Sequence, residues 1–398
     1  MRIALIADAY PPLRSSAAVQ LRDLAQEFVQ QGHELIVMVP SEGLGKPWTV
    51  ALVDGVQVLR VAAMRTKDIG YVRRTVSEML LPIVMWYGIR KSPFRFVPWD
   101  AIVWYAPSIF LGVLVGVLKR SAGCRSYLIL RDIFPEWAVD MGLLRRGLIY
   151  RFFKMVERYQ YWVADTIGVQ SASNLPYLKE WGRRPGRRLE VLQNWLAPAP
   201  NVGSTFSVAA TSLSRRKILV YAGNMGVAQG IDIFLDLAER LIHRRDIGFI
   251  FVGRGSEVSR LRTSAEQRAL DNVVFRDEID PSEIPGLMAQ CHIGLLALAP
   301  HHRTHNVPGK FLTYVQAGLP VLARINPGND LAHLIEREGV GVVHVGTSLD
   351  SLQSLAEELV DDTARRELMS TRGRALANSL FSPTGAVNQI VAALSDVP

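Results

Sequence analysis

The sequence predicts two α/β domains, each a parallel sheet wound on both faces by helices, joined by a hinge. Three observations carry this. Short β-rich runs alternate with longer helical patterns, the alternation that packs a parallel sheet between helix layers. The alternation occurs twice along the 398 residues. Between the two occurrences stands Leu196-Ala197-Pro198-Ala199-Pro200-Asn201-Val202-Gly203-Ser204, whose prolines, glycine and small polar residues suit a hinge. In the first half, residues 3–7, 35–39, 56–61, 101–105, 127–130 and 166–169 read as strands, and 18–31, 108–119, 144–162 and 174–181 as helices. In the second half, 218–222, 248–252, 273–275, 293–296, 321–323 and 341–343 read as strands, and 231–244, 257–269, 281–289, 310–317 and 329–338 as helices. The expected division is an N-terminal domain 1–196, a linker 197–216, a C-terminal domain 217–380 and a last helix within 381–398 that crosses back to the N-terminal domain. Ligands of open parallel sheets bind beyond the carboxyl ends of the strands, so the site is expected in a cleft between the two domains.

Composition narrows the function. Hydrophobic residues make up 49% of the chain and charged residues 21%, enough for substantial cores and against disorder. The net charge of +8 favours anionic partners, which include nucleoside diphosphates, acidic lipid headgroups and nucleic acid. No helix-turn-helix, zinc-finger or RNA-recognition pattern supports the last of these. Two cysteines, Cys124 and Cys291, exclude a disulfide framework and point to reduced thiols in a cytoplasmic protein. The apolar run at the N-terminus is too short for a signal peptide, and no stretch reaches the ~18 apolar residues of a membrane span.

Three loops of the second half are built for phosphate. The first strand there runs into Gly223-Asn224-Met225-Gly226-Val227-Ala228-Gln229-Gly230, where glycines admit a close ligand and a helix start offers free N–H groups. Their spacing is not G-x-G-x-x-G, which argues against NAD or FAD. The next strand ends in Gly253-Arg254-Gly255, placing a planar guanidinium where it can reach a diphosphate. In Pro308-Gly309-Lys310 a lysine stands in the first turn of a helix, opposed by the helix dipole unless an anion is present. A tight turn, a surface arginine and an ordinary helix start are the plain alternatives.

These residues resemble the retaining GT-B glycosyltransferases of family four. The resemblance rests on Gly223-Asn224-Met225-Gly226, Val252-Gly253-Arg254-Gly255 and Pro308-Gly309-Lys310, ending in Ala317-Gly318-Leu319-Pro320-Val321. In the first half it rests on Asp8-Ala9-Tyr10-Pro11-Pro12 and Gly32-His33-Glu34-Leu35. Arg131-Asp132-Ile133-Phe134-Pro135-Glu136-Trp137 resembles the subgroup that builds O-antigen, capsule and colanic-acid repeat units, N-acetylfucosamine-type transferases among them. The chain departs from the family in places. The glutamate pair eight positions apart is replaced by His305 and Thr313, and the usual Arg and Lys of the first loop by Asn224 and Gln229.

The resemblance implies two Rossmann-like domains and metal-independent transfer, with retention, from a nucleotide sugar, a UDP-sugar by the subgroup. It implies a polyprenyl-diphosphate-linked saccharide as acceptor. The donor contacts are expected at Ser15, Ser16, Gly223, Asn224, Gly226, Gln229, Arg254, Ile279, Pro308, Gly309, Lys310 and Thr313. Arg254, Lys310 and the amides near Gly226 and Gly309 would meet the charge that grows on the leaving diphosphate. Asp132, with Glu136 second, would orient the acceptor hydroxyl or take its proton. Helix capping is the alternative for Ser15, Ser16 and Asp132, and a surface position for Glu136. The run His301-His302-Arg303-Thr304-His305 reads as a mobile loop rather than a metal site.

Arg73 and Arg74 before residues 79–89, with Arg90 and Lys91 after them, place cations at both ends of an apolar, aromatic middle. Arg145, Arg146 and the stretch 150–154 repeat the pattern. Both suit peripheral contact with the inner face of the cytoplasmic membrane. The rival functions are a nucleotide-sugar 2-epimerase and a non-catalytic sugar-nucleotide-binding subunit.

Overall fold

The computed structural model describes residues 1–66, 69–298, 307–326 and 328–395. The chain divides into two compact units, Met1–Trp195 with Pro383–Pro398, and Leu196–Ser382.

Unit 1 is built on β1 (Arg2–Ile6), β2 (Glu34–Ser41), β3 (Trp48–Val53), β4 (Val56–Ala62), β5 (Ala101–Ala106), β6 (Arg125–Leu130), β7 (Thr166–Val169) and β8 (Arg188–Val191). They form one sheet in the order β3-β4-β2-β1-β5-β6-β7-β8, parallel throughout except where β3 runs against β4. The helices are α1 (Ser16–Gln30), α2 (Tyr71–Lys91), α3 (Leu111–Ala122), α4 (Glu136–Asp140), α5 (Leu148–Val163) and α6 (Lys179–Gly182). Helices α2, α3 and α5 bury Met85, Leu114 and Tyr161 on one face of the sheet, against Ile36, Trp104 and Leu128. On the other face Leu24 and Phe28 of α1 pack against Leu5 and Val103. With both faces covered, β5 is buried along its whole length, which is why the central strands read as continuous apolar runs.

Four elements here, β3, β8, α2 and α4, were not expected. Strand β3 is an exposed edge whose turn, Asp54-Gly55, has both residues at positive φ. That dipeptide is the strongest local hairpin signal, and it stood in the sequence unused. Helix α2 carries Pro82 in its interior and apolar residues on both its inner and outer sides, so no amphipathic period announced it.

Unit 2 contains β9 (Lys217–Ala222), β10 (Ile247–Val252), β11 (Val273–Arg276), β12 (Ile293–Ala297), β13 (Val321–Arg324) and β14 (Gly341–His344). All are parallel, in the order β11-β10-β9-β12-β13-β14. The chain winds outward from β9 in one direction and returns to β12 to wind in the other. That reversal opens a crevice beyond the carboxyl ends of β9 and β12. Its helices are α7 (Asp232–Arg240), α8 (Val258–Gln267), α9 (Ile284–Met288), α10 (Gly309–Ala317), α11 (Asp330–Glu338), α12 (Leu349–Asp361) and α13 (Thr363–Leu380). Helices α12 and α13 fill a stretch the sequence reading left unassigned.

The expected linker, 197–216, falls within unit 2. Phe206, Val208 and Leu213 are buried in its core. The Gln290 side chain accepts from the Val208 N–H at 2.8 Å and donates to the Phe206 carbonyl at 3.1 Å. After α13, helix α14 (Pro383–Ser395) packs Val387, Ile390 and Leu394 into the unit 1 core beside Ile3 and Trp195. Ile390 is fully buried there. Ile390→Ala is expected to cost unit 1 about 2–5 kcal/mol. In urea unfolding followed by hydrogen exchange, protection is lost across unit 1 strands while unit 2 amides keep theirs.

Candidate functional site

In unit 2 the residues singled out by sequence lie on the loops that leave β9, β10 and β11 and on the start of α10. Gly223, Gly253 and Gly255 have φ of 136°, 144° and 151°, backbone that side chains resist. A Cβ on Gly253 would stand 2.0 Å from the Gly223 carbonyl oxygen, and one on Gly255 2.2 Å from that of Met225. The two loops therefore lie backbone on backbone. The Met225 N–H donates to the Arg254 carbonyl at 2.7 Å, and the Glu257 N–H to the Met225 carbonyl at 3.0 Å. Gly253 and Gly255 were read from sequence only as the flanks of an arginine that could reach a diphosphate. What they admit is the neighbouring loop.

The first loop is also closed from within. The Gln229 carboxamide oxygen accepts from the Gly226 N–H at 2.9 Å and from the Asn224 amide at 3.2 Å. The Tyr221 hydroxyl donates to the Asn224 carbonyl at 2.7 Å. Gln229, Asn224 and Gly226 thus spend these groups on one another, which corrects the expectation of a free Gly226 amide. Their work is to hold the loop's shape.

Lys310 completes the cluster. Helix α10 begins after Pro308, and no side chain caps it. The Gly309 and Lys310 N–H groups and the positive end of the helix are thereby left to solvent or ligand. The end of the lysine stem lies beside Gly223, where a Cβ would meet Lys310 Cε at an ordinary contact distance of 3.4 Å. The ammonium stands 4.8 Å from the centre of the Tyr221 ring. Burial lowers the Lys310 pKa to about 8. Among the described residues no carboxylate pairs with it. Tyr314, one turn further on, accepts from the Ala222 N–H at 3.1 Å and pins α10 to the end of β9.

Arg254 is exposed, with Nε 3.6 Å from a Glu278 carboxylate oxygen. Ile279, the next residue, packs half-buried against the unit's core. The Thr313 hydroxyl donates to the Gly309 carbonyl at 3.3 Å, within its own helix. Loops and helix start thus bring Gly223, Arg254, Ile279, Gly309 and Lys310 to the same end of the sheet. Tyr221 and Tyr314 were missed. Their only sequence signal is a phenol at the end of a strand and another on the inner side of a helix.

In unit 1 the loops after β1 and β6 carry Asp8, Arg131 and Asp132, and Tyr105 stands near the end of β5. Arg131 is buried and donates to the carbonyls of Leu192 at 2.8 Å and Gln193 at 3.3 Å, with its guanidinium 4.8 Å from the Trp195 ring. Burial lowers its pKa, opposed by the phenols of Tyr105 and Tyr127 and by the charge of Asp132. Burial raises that of Tyr105, which feels Arg131, Asp132 and Asp8. Asp132 is exposed beside this buried pair. The helix that follows is capped at Pro135, so Asp132 is not its cap.

Glu136 is held by partners from the same region of unit 1. Tyr150 donates to it at 2.8 Å, Lys154 lies at 3.0 Å and Arg146 at 3.7 Å. Burial works to raise its pKa, but these hydrogen bonds and charges outweigh it and hold the carboxyl below its ordinary value. Its lone pairs are occupied in tying α4 to α5. Ser15 is the cap of α1, accepting from the Ala18 N–H at 3.3 Å, and Ser16 is that helix's exposed first residue. The run 301–306, His305 included, lies outside the described residues. Among the described residues no group of three His, Cys, Asp or Glu side chains could hold a metal ion, and no helix is long and apolar enough to cross a membrane.

Comparison with known proteins gives this geometry a class. Residues 216–362 match the family described as Glycosyl transferases group 1. The match covers less than half of the chain, and the chain as a whole has the GT-B fold of two Rossmann-like domains. Among particular proteins, it is 25% identical over 231 residues to the glycosyltransferase WbjE of Pseudomonas aeruginosa, 56% of this chain and 57% of that one. The match thus spans little more than half of WbjE's length. It is 27% identical over 315 residues to WcaI of Escherichia coli K12, described as a colanic acid biosynthesis glycosyl transferase, covering 74% of this chain and 76% of that one. The structure of Anabaena HepE in complex with UDP-glucose superposes with a TM-score of 0.70 at 16% identity, covering 99% of this chain and 100% of that one.

Two outcomes follow. Gly253→Ala forces the two loop backbones apart, at a cost of about 1–3 kcal/mol. Calorimetry should show a lowered transition for unit 2 together with loss of diphosphate binding. Glu136→Gln is expected to cost about 1–3 kcal/mol at neutral pH. Because the folded pKa is depressed, that contribution is full above the ordinary carboxylate range and is lost as pH falls below it. Wild type and variant should therefore converge in stability in acid.

Proposed function

We propose that the protein is a glycosyltransferase of bacterial surface-polysaccharide synthesis. It moves a sugar from a nucleoside diphosphate donor, a UDP-sugar, to a lipid-linked saccharide with retention at the anomeric carbon. The single observation that carries the donor half is Lys310, a half-buried cation with no carboxylate partner among the described residues, at an uncapped helix start beside Gly223. A buried, uncompensated charge is costly, and a diphosphate is what would neutralise it. The match to group 1 glycosyltransferases over the same residues supports this, as do a fold shared with a UDP-glucose-binding protein and similarity to a colanic acid transferase.

When the bond from anomeric carbon to phosphate oxygen breaks, negative charge collects on the leaving diphosphate. Lys310, the amides of Gly309 and Lys310, and Arg254 stabilise that charge, and losing one such donor typically costs about 3–4 kcal/mol. The reading calls for no metal, since these groups supply the positive charge. In unit 1, Asp132 orients the acceptor hydroxyl and receives its proton, with Arg131 and Tyr105 fixing the loop that carries it. The protein works on the cytoplasmic side, meeting the membrane peripherally where a lipid-linked acceptor is found.

Titration with UDP, GDP and ADP tests the donor site. One diphosphate should bind selectively, and Lys310→Met should weaken it at least about tenfold, or ~1.4 kcal/mol. A bound dianion favours the protonated lysine, which in the free protein titrates near 8. Affinity should be full below that pH and fall above it in the wild type, and this dependence should vanish in Lys310→Met. No diphosphate binding, or binding indifferent to Lys310, overturns the donor site. With a sugar nucleotide and a polyprenyl-diphosphate saccharide, Asp132→Asn should slow turnover about 10²–10⁴-fold at unchanged UDP affinity. Donor consumption without acceptor would instead favour the epimerase, and binding without turnover the non-catalytic subunit.

A further inference from the structure

One face of unit 1 has the wrong polarity for water. Helices α2, α3 and α5 bury their inner sides in the core, as described, yet their outer sides are apolar too. On α2 the outward row is Val76, Met79, Ile83 and Tyr87, exposed by 50%, 43%, 63% and 52%. On α3 it is Val113 and Val117, at 41% and 45%. On α5 Leu148, Met155, Tyr159 and Trp162 recur at steps of seven, four and three residues along one side, at 82%, 61%, 39% and 50%. Helix α3 packs against both α2 and α5, so the three rows lie side by side. A surface helix normally turns polar residues outward, and adjoining apolar rows of this extent mark an interaction surface.

Charge says what the surface meets. Across the three helices the acids are Glu78 and Glu157, and both are mostly buried and ion-paired, to Arg74 and Lys154. The exposed charges are cations, Arg73, Arg90, Lys91, Arg120, Arg151 and Arg158. Two of them lie over aromatic rings of the same surface, Arg90 at 5.0 Å from the Trp86 ring and Lys91 at 4.2 Å from that of Tyr87. Apolar rows fringed by cations and aromatic rings match the acyl boundary of a bilayer beneath anionic headgroups. A second copy of the chain would bring the same cationic fringe against itself, so charge opposes self-pairing.

We infer that the outer faces of α2, α3 and α5 together form a docking surface for an anionic lipid bilayer. Membrane contact is thereby assigned to a three-helix surface that includes the whole of α5 and the centre of α3, beyond the two basic-aromatic stretches legible in the sequence. The surface stands on its own residues. Its use in bringing a lipid-linked acceptor to unit 1 rests on the proposed function.

The test is cosedimentation of the full chain with phosphatidylcholine vesicles, with and without phosphatidylglycerol. Two variants are compared, Ile83→Ser/Met155→Ser/Trp162→Ser and Arg90→Gln/Lys91→Gln/Arg158→Gln. All six positions are exposed, so folding should survive, and unchanged hydrogen-exchange protection of the unit 1 strands checks it independently of lipid. The wild type should pellet with phosphatidylglycerol vesicles and far less with phosphatidylcholine alone or in high salt. Each variant should bind at least about tenfold more weakly. Wild type left in the supernatant, or variants that pellet like it, overturns the inference. So does a serine variant that binds vesicles normally but turns a dimer into a monomer, since the surface would then join copies of the chain. Failure here with UDP binding intact leaves the donor site standing.

Discussion

The close approach of two loop backbones is the constraint on which the unit 2 site depends. Gly253 lies against the Gly223 carbonyl and Gly255 against that of Met225, at separations no side chain permits. This contact ties the loop after β10 to the loop after β9, and with Gln229 clasping Gly226 and Asn224 it leaves the first loop one shape. A loop held this firmly pays its ordering entropy on folding rather than on binding. Lys310 then sits against a fixed wall, between Gly223 and the Tyr221 ring.

The cationic character of the site is concentrated by what is missing. Where the resembled family has Arg and Lys in the first loop, this chain has Asn224 and Gln229, which serve loop structure. Positive charge falls to Lys310, whose burial brings its pKa near the working range, and to Arg254, which is exposed and has Glu278 near it. The two cations differ in kind. Lys310 is desolvated and has fixed neighbours, so it is suited to charge stabilisation. Arg254 is hydrated and free to reorient, so it is suited to closing on a ligand already bound. Unit 1 shows the same division, with Arg131 buried as a strut under an exposed Asp132.

How much was legible differs by element. The central strands were plain because a parallel sheet covered on both faces makes continuous apolar runs. Edge strand β3 and helix α2 were not, because both show apolar residues to solvent and so break the patterns that reading relies on. For the site, sequence picked out the glycines, Lys310 and Asp132, but it did not show that Gly253 and Gly255 lie against the backbone of the neighbouring loop. It took Glu136 for a catalytic group when Tyr150, Lys154 and Arg146 hold it. No spacing rule shows that a carboxylate's partners arrive from the next helix.

By itself the sequence determined the class of fold, the doubling of the α/β pattern and the loops at which chemistry gathers. These follow from periodicity and from residue types whose local conformational demands are strong, such as glycine at positive φ and proline at a helix start. Tertiary structure alone decided which of the polar groups are spent. Gln229, Ser15, Thr313 and Glu136 are engaged within the protein, whereas Lys310 is half-buried with no carboxylate beside it among the described residues. It alone decided that the outer sides of α2, α3 and α5 adjoin. The reason is physical: a hydrogen bond or a desolvation cost depends on atoms brought together from distant parts of the chain, and local sequence carries no record of them.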